Sequence, residues 1–328
     1  MTGQDEQAYS FPPTRNRAPR NRTIELTEAD RQHLQNQIIQ ISPGNFLTEL
    51  PIGIIRGDSL QIAPLLPPNS VDLLILDPPY NLSKAFDGYR FTRQTIDQYS
   101  TWLDRAITAF KPLLKNTATI YICGDWLTSI SIFTVASAHF IVRNRITWER
   151  EKGRGAKSNW KNASEDIWFC TSSDRYTFNV DAVKLRRKVV APYRDASGTP
   201  KDWTTTESGN FRDTHPSNLW TDITIPFWSM PENTDHPTQK SEKLIAKLIL
   251  ASSNPGDHVF DPFLGSGTTT AVCEKLDRKG SGIELSEEYC LTAAKRLELA
   301  HQDKTIQGWR DGVFWERNTF ASQKLTSE

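Results

Sequence analysis

The 328-residue chain predicts an α/β protein built on a doubly wound parallel sheet, with a separate module inserted into it. Three features predict this. The run Val71–Leu76 is apolar except at Asp72, the composition of a strand covered on both faces. Helical and strand periodicities alternate around it, as βα units feeding a parallel sheet do. Between 146 and 232 that alternation stops, and six of the ten tryptophans fall among charged and short polar segments. The expected divisions are 1–44 (basic tail and N-terminal helix), 45–145 and 233–300 (the two halves of the sheet), 146–232 (the inserted region) and 301–328 (a C-terminal extension).

In chain order, the first 22 residues hold Pro12, Pro13 and Pro19 with Arg15, Arg17, Arg20 and Arg22, a tail that resists packing. Thr27 and Asp30 resemble a capping box and open an amphipathic helix expected to reach Ile41, before Pro43-Gly44. Ile52–Arg56 reads as a strand ending at Gly57-Asp58. Tyr99–Leu114 has helical spacing, and Thr117–Cys123 is a strand rich in β-branched and aromatic residues. After the inserted region, Lys240–Ser252 is helical and stops at Asn254-Pro255-Gly256. His258–Phe260 is a strand, Gly265–Gly267 a tight turn, Thr268–Leu276 a helix, Gly280–Glu284 a strand and Glu287–Ala300 a helix. The last 28 residues carry Trp309, Phe314, Trp315 and Phe320, too aromatic for a wholly solvated tail.

Charge narrows the function. Lys plus Arg equals Asp plus Glu at 39 each, yet from Arg143 to Lys201 there are 14 basic and 7 acidic residues. Local charge decides partners more than the total does, so a nucleic-acid surface is expected here. Met1–Ser10 lacks the apolar core of a secretory signal, and no apolar run approaches the roughly 18 residues of a membrane span. The four cysteines, Cys123, Cys170, Cys273 and Cys290, match neither a zinc nor a CxxC spacing, and His215 and His236 stand 21 apart without neighbouring ligands. A reduced, cytoplasmic protein without metal is expected.

Two loops carry the chemistry. Asp77-Pro78-Pro79-Tyr80 follows a buried strand, and the carboxyl ends of such strands face the ligand crevice. Its prolines fix two φ angles and remove two N–H donors, leaving a stiff loop of acceptors suited to an amino group. Tyr80 adds a π-face for a planar heterocycle. Asp261-Pro262-Phe263-Leu264-Gly265-Ser266-Gly267 again follows a strand and precedes a helix. Thr270 stands where a dinucleotide fingerprint needs its third glycine, and the GK[ST] of a P-loop is absent. Glu284, 17 residues beyond Gly267, ends the next strand near the spacing of a ribose-binding acid, so an adenosyl ligand without pyrophosphate fits best.

With His236-Pro237-Thr238-Gln239-Lys240 between them, these loops resemble the DNA amino-methyltransferases of the permuted β class (N6-adenine/N4-cytosine) over about Asn45 to Ala300. In that family the catalytic loop precedes the cofactor loop, with a target-recognition region between. The resemblance implies a Rossmann-like methyltransferase fold, S-adenosylmethionine as methyl donor and double-stranded DNA as substrate. It makes 45–145 the catalytic half, 146–232 the target-recognition region and 233–300 the cofactor half. By the same analogy Asp77 and the Pro78 carbonyl bind the base amino group within the Asp77-Pro78-Pro79-Tyr80 loop, and Tyr80 stacks on the base. Asp58 meets the cofactor adenine, Glu284 the ribose hydroxyls, Phe263, Gly265 and Gly267 contact the methionine and adenosine parts, Asp261 belongs to the same cofactor-binding set, and Thr238 and Lys240 lie in the segment that approaches the methionine carboxylate. The family commonly has proline where this chain has Ser241.

Arg143, Arg145, Arg154, Lys157, Arg186 and Arg187 are the expected DNA contacts, reached from the basic run. In the family that the chain resembles, Asp at the first motif position favours adenine, whereas Ser is more usual for cytosine. The rivals are cytosine N4 methylation, a catalytically silent DNA-binding module, and methylation of protein glutamine or RNA. A cognate restriction endonuclease is a candidate partner, and monomer and homodimer both stay open.

Overall fold

The computed structural model describes residues 18–86, 89–150, 157–189, 193–206, 209–317 and 319, the side chains of 84–91 and 206 apart. Arg154 and most of the basic tail lie outside these residues. The elements are α1 (Glu28–Gln35), β1 (Gly53–Arg56), a one-turn α2 (Ser59–Ile62), β2 (Val71–Leu76), the β3–β4 pair (Lys84–Phe86 and Tyr89–Phe91), α3 (Ile96–Phe110), β5 (Leu114–Gly124), α4 (Thr128–His139), β6 (Ile141–Glu149) and β7 (Ser164–Thr171). There follow β8 (Leu185–Lys188), β9 (Thr204–Thr206), β10 (Gly209–Thr214), β11 (Leu219–Trp220), α5 (Glu242–Ser252), β12 (His258–Asp261), α6 (Thr268–Lys275), β13 (Lys279–Glu284), α7 (Glu287–Gln302), β14 (Trp309–Arg310) and β15 (Val313–Trp315).

The main sheet has eight strands in the order β1-β13-β12-β2-β5-β7-β6-β11. Its first five strands are parallel. Side chains of β2 alternate between two cores. Leu73 and Ile75 join α5, α6 and Tyr121 on one face, while Leu74 and Leu76 join α3, α4 and Ile120 on the other. A strand buried on both faces has to read as an unbroken apolar run, which is why β2 was visible in the sequence. Asp72, the one polar residue of that run, pairs with Lys115 at 2.8 Å and accepts the His258 N–H.

β2 and β12 are hydrogen-bonded neighbours, with Val259 opposite Leu73 and Phe260 opposite Leu74. Their carboxyl ends carry Asp77 and Asp261. Two residues 184 apart in sequence are therefore brought to the same edge of the sheet.

Three expectations need correction. The boundary expected at 145/146 falls inside β6, and β6 and β7 belong to the main sheet. They pair antiparallel at its far end, where β6 exposes Arg145 and other polar side chains. A strand covered on one side lacks the continuous apolar run. The second sheet, in the order β14-β15-β8-β10-β9, joins the inserted region to the C-terminal aromatics, with Phe314 opposite Leu185. Finally, α1 has the full Thr27–Asp30 capping box but ends at Gln35. Beyond it Ile39 runs extended along β1, donating to the Ile54 carbonyl and accepting from the Arg56 N–H.

Every residue of α5 is buried, including Lys243 and Lys247. Ser241, in place of the family's usual proline, accepts the Leu244 N–H and caps this helix. Among the described residues no helix is long and apolar enough to cross a membrane.

Candidate active site

A cleft of about 360 Å³ opens at the carboxyl edge of the sheet, within the roughly 300–1,000 Å³ of small-molecule sites. It is lined from one side by Asp77, Pro78, Pro79 and Tyr80 and from the other by Pro262, Phe263, Gly265 and Glu284. Asp58, Thr238 and Lys240 also stand in its walls, whereas Asp261 and Gly267 of the predicted set do not.

The proline loop is held from behind. The Tyr99 hydroxyl donates to the Pro79 carbonyl at 2.9 Å, and the Asn81 amide and side chain are tied to Thr128 and Gln94. No partner for the Pro78 carbonyl is found among the described residues. One carbonyl is thus fixed by the protein while its neighbour is left as an acceptor.

Asp77 does not stand alone. Lys240 Nζ donates to both of its oxygens, at 2.9 and 2.7 Å, and to the Tyr80 hydroxyl at 3.1 Å. Glu165, on β7, accepts from the same Tyr80 hydroxyl at 3.1 Å, lies 3.4 Å from Lys240 and pairs with Arg150. Burial alone would raise the Glu165 carboxyl, yet the Lys240 ammonium and the Arg150 guanidinium hold it below the ordinary glutamate value. Burial likewise opposes charge on Lys240, but Asp77 and Glu165 outweigh it and keep the ammonium protonated. Lys240, expected at a methionine carboxylate, donates in this structure to Asp77 and Tyr80.

Across the cleft, Glu284 accepts the Gly265 N–H on one oxygen and the Ser286 N–H on the other, each at 2.8 Å. Two backbone donors fix the carboxylate in the cleft wall. Asp58 caps α2 through the Leu60 N–H. Phe263 packs edge-on to Phe110 and against Trp102, presenting an apolar wall.

Gly265 has φ +56°, and a Cβ there would sit 3.0 Å from the His236 ring. Gly267 serves a different end from the one expected. It does not line the cleft, and at φ +81° a Cβ there would sit 2.5 Å from Ala293 of α7. The first glycine keeps the cleft wall thin, and the second lets two helices close.

Asp261 lies beneath the cleft, 4% exposed, and orders the turn: Phe263 N–H and the Thr269 hydroxyl donate to its two oxygens at 3.0 and 2.6 Å. Burial pushes its carboxyl up to about 7, against 3.8 ordinarily, despite the Thr269 bond. An acid with a raised folded pKa stays protonated while its unfolded counterpart ionises, so stability falls as pH rises between those values. Relative to wild type, Asp261→Asn is expected to gain thermal stability progressively from about pH 4 to about pH 7. Melting curves of both proteins across that range check this, and parallel Tm profiles would refute it.

The sequence missed several lining residues: Trp102, His236, Leu285 and Tyr289 of the cleft, and Glu165 behind it. His236 stacks edge-on against Tyr289 at 4.5 Å. His236 opens the His236–Lys240 motif, whereas Trp102 and Glu165 reach the site only through the sheet's topology.

The predicted DNA contacts divide. Arg143 donates to Thr171, Ser173 and Asp174 and lies over the Tyr176 ring, so it pins the end of β7. Arg186 is bidentate to Asp213 and lies over Trp315. Both are committed within the protein. Arg187 is 3.7 Å from Glu316 and Arg145 3.8 Å from Asp166, each with an exposed side chain. Lys157 is exposed.

A family profile described as DNA methylase (N6_N4_Mtase) matches residues 71–295. The chain is 35% identical over 254 residues to the DNA adenine methyltransferase YhdJ of Escherichia coli (strain K12), covering 75% of this chain and 83% of that protein. It is 32% identical over 250 residues to the Type II methyltransferase M.HpaI of Haemophilus parainfluenzae, covering 75% and 74%. Among solved structures, the M1.HpyAVI–SAM complex superposes with a TM-score of 0.50 at 25% identity, over 75% of this chain and 99% of that one. The cytosine-N4-specific PvuII DNA methyltransferase shares the fold, with a TM-score of 0.56 at 18% identity over 76% of this chain and 87% of that one. On the strength of the matched length and these identities, the chain belongs to the N6-adenine/N4-cytosine DNA methylase family.

Proposed function

We propose that this protein transfers a methyl group from S-adenosylmethionine to the exocyclic amino group of adenine in duplex DNA. The observation that carries the reading is that the Asp77–Tyr80 loop and the Phe263–Gly265 turn line one cleft. The residues present fit the donor. Glu284 offers fixed acceptors to a ribose diol, Phe263, Ile283 and Leu285 give apolar walls to an adenine, and Asp58 stands at the cleft edge as an acceptor for its amine. When bound, the donor supplies an electrophilic methyl group.

The chain's own residues prepare the acceptor. An exocyclic amine is a poor nucleophile because its lone pair is delocalised into the ring. Hydrogen bonds from its two N–H groups to Asp77 and the Pro78 carbonyl draw the nitrogen towards tetrahedral geometry and free that pair. As the bond from nitrogen to the methyl carbon forms and the carbon–sulfur bond breaks, its electron pair staying on the departing thioether, positive charge grows on nitrogen beside a carboxylate, and the surplus proton leaves by way of Asp77 to water. Tyr80 holds the extruded base by its face. Alignment of two bound partners supplies most of the rest.

The acid at position 77 and the similarity to an enzyme named for adenine favour adenine over cytosine. Relatives named Type II methyltransferases support a place in a restriction-modification system, with a companion endonuclease. Transfer of labelled methyl to DNA, followed by nucleoside chromatography, tests the reading. Label in N6-methyladenine is expected, and label in N4-methylcytosine alone would refute it.

The DNA face on this reading includes the β6–β7 connection, which leaves the sheet beside Arg150 and Glu165 and carries exposed Lys157, Trp160 and Lys161. Lys157→Ala with Lys161→Ala is expected to weaken binding to all sequences alike and to lower the salt slope by about 1 for each phosphate no longer neutralised. Arg143→Ala is expected to lower Tm and leave that slope unchanged. Salt titrations of DNA affinity separate the two, and a steep fall in slope for Arg143→Ala would reverse the assignment.

A further inference from the structure

The catalytic carboxylate poses a problem that the proposed reaction does not solve by itself. Three hydrogen bonds already converge on Asp77: two from Lys240, at 2.9 and 2.7 Å, and one from the Tyr80 hydroxyl, at 3.2 Å. An ionised carboxylate offers about four lone-pair sites. One site is thus left for a base amine entering the cleft, on a carboxylate that it has to share with a buried ammonium. The ammonium is also a poor neighbour for a nitrogen that is about to become positive.

Glu165 supplies a second seat for it. Its Oε2 lies 3.4 Å from Lys240 Nζ and 3.1 Å from the Tyr80 hydroxyl, and its other oxygen pairs with Arg150. Both Lys240 and Glu165 are almost wholly buried, so the ammonium must stay beside an anion. Asp77 and Glu165 are the anions at hand. The Tyr80 hydroxyl lies between them with a single proton, able to donate to one carboxylate at a time. Asp77, Glu165, Lys240 and Arg150 together carry no net charge. Loss of the Glu165 charge would leave the cluster at +1 beside the reacting amine.

We propose that Glu165 is a positioning residue that receives the Lys240 ammonium when a base amine engages Asp77, so that the amine meets a free carboxylate in neutral surroundings. The proposal rests on the amino-methyltransferase reading given above. Glu165 touches neither base nor donor; it acts through Lys240 and Tyr80.

The test compares wild type, Glu165→Gln, Glu165→Asp and the double variant Glu165→Gln with Lys240→Met. Single-turnover methyl transfer is measured with saturating S-adenosylmethionine, alongside donor affinity by calorimetry and KM for DNA. Glu165→Gln is expected to slow transfer at least about tenfold with donor affinity and KM little changed, because the defect lies in charge at the reacting atom. Glu165→Asp keeps the charge and is expected to stay within a few-fold of wild type. The double variant restores neutrality and is expected to be faster than Glu165→Gln alone, a non-additivity that a packing defect would not produce. Transfer by Glu165→Gln at the wild-type rate, equal losses in Glu165→Gln and Glu165→Asp, or a double variant slower than Glu165→Gln would each overturn the proposal. If wild type itself transfers no methyl group to any DNA, the broader reading fails with it, whereas the other outcomes concern Glu165 alone.

Discussion

Asp77→Ala is expected to lower the rate of methyl transfer by roughly 10²–10³ while donor affinity stays within a few-fold of wild type. The asymmetry follows from placement. Asp77 faces the cleft from the proline loop, and the acceptors offered to an adenosyl group, Glu284 and Asp58, belong to other elements and keep their own backbone donors. Removing the carboxylate takes away the acceptor that draws on the amine and leaves the Lys240 ammonium next to Glu165 alone. Calorimetry with S-adenosylmethionine and single-turnover transfer measure the two halves separately. Donor affinity that fell together with the rate would show that Asp77 organises the cofactor side instead.

A second large effect lies away from the chemistry. Asp222→Ala is expected to destabilise the fold by about 3–5 kcal/mol, a Tm loss on the order of 10 °C. Asp222 is buried with Lys243 and Lys247 each 2.8 Å from its carboxylate. Burial lowers both ammonium groups, Lys247 to about 8, even with Asp222 present. Without it, two buried lysines must either keep a charge without a partner or give up a proton, and both cost stability. Lys243 also donates to the Trp315 carbonyl and Lys247 lies over the Trp220 and Phe314 rings, so this cluster fastens the second sheet and the C-terminal strand to α5. Asp222→Asn preserves shape without charge and should lose nearly as much. Thermal melts decide, and a loss below about 1 kcal/mol would mean the lysines find water.

The parts of the molecule that could be read from the sequence share a cause. β2 and β12 are buried on both faces, and the loops after them consist of residues whose backbone restrictions are local, so Asp77, Pro78, Gly265 and Glu284 could be placed before any coordinates. What could not be read depends on pairing across distance. Arg143 and Arg186 looked like free basic side chains because nothing local announces Asp174 or Asp213 as partners. Gly267 and Gly265 are indistinguishable in sequence, and only the packing of α7 shows that one faces Ala293 and the other His236. β6 resembled a separate charged module because a one-sided strand, next to the last in the sheet, has no need of an apolar run. Glu165 was one acid among many in a charged stretch until β7 carried it to Tyr80.

The central claim is that a single cleft receives the methyl donor on the glycine side and the base amine on the proline side. A crystal structure of the protein with a non-reactive donor analogue such as S-adenosylhomocysteine and a short DNA duplex measures this directly. The expected result is ribose hydroxyls at Glu284, the sulfur directed towards Asp77, and an extruded adenine against Tyr80 with its amine on Asp77 and the Pro78 carbonyl. Density for the analogue elsewhere, or a base amine bound away from Asp77, would contradict it.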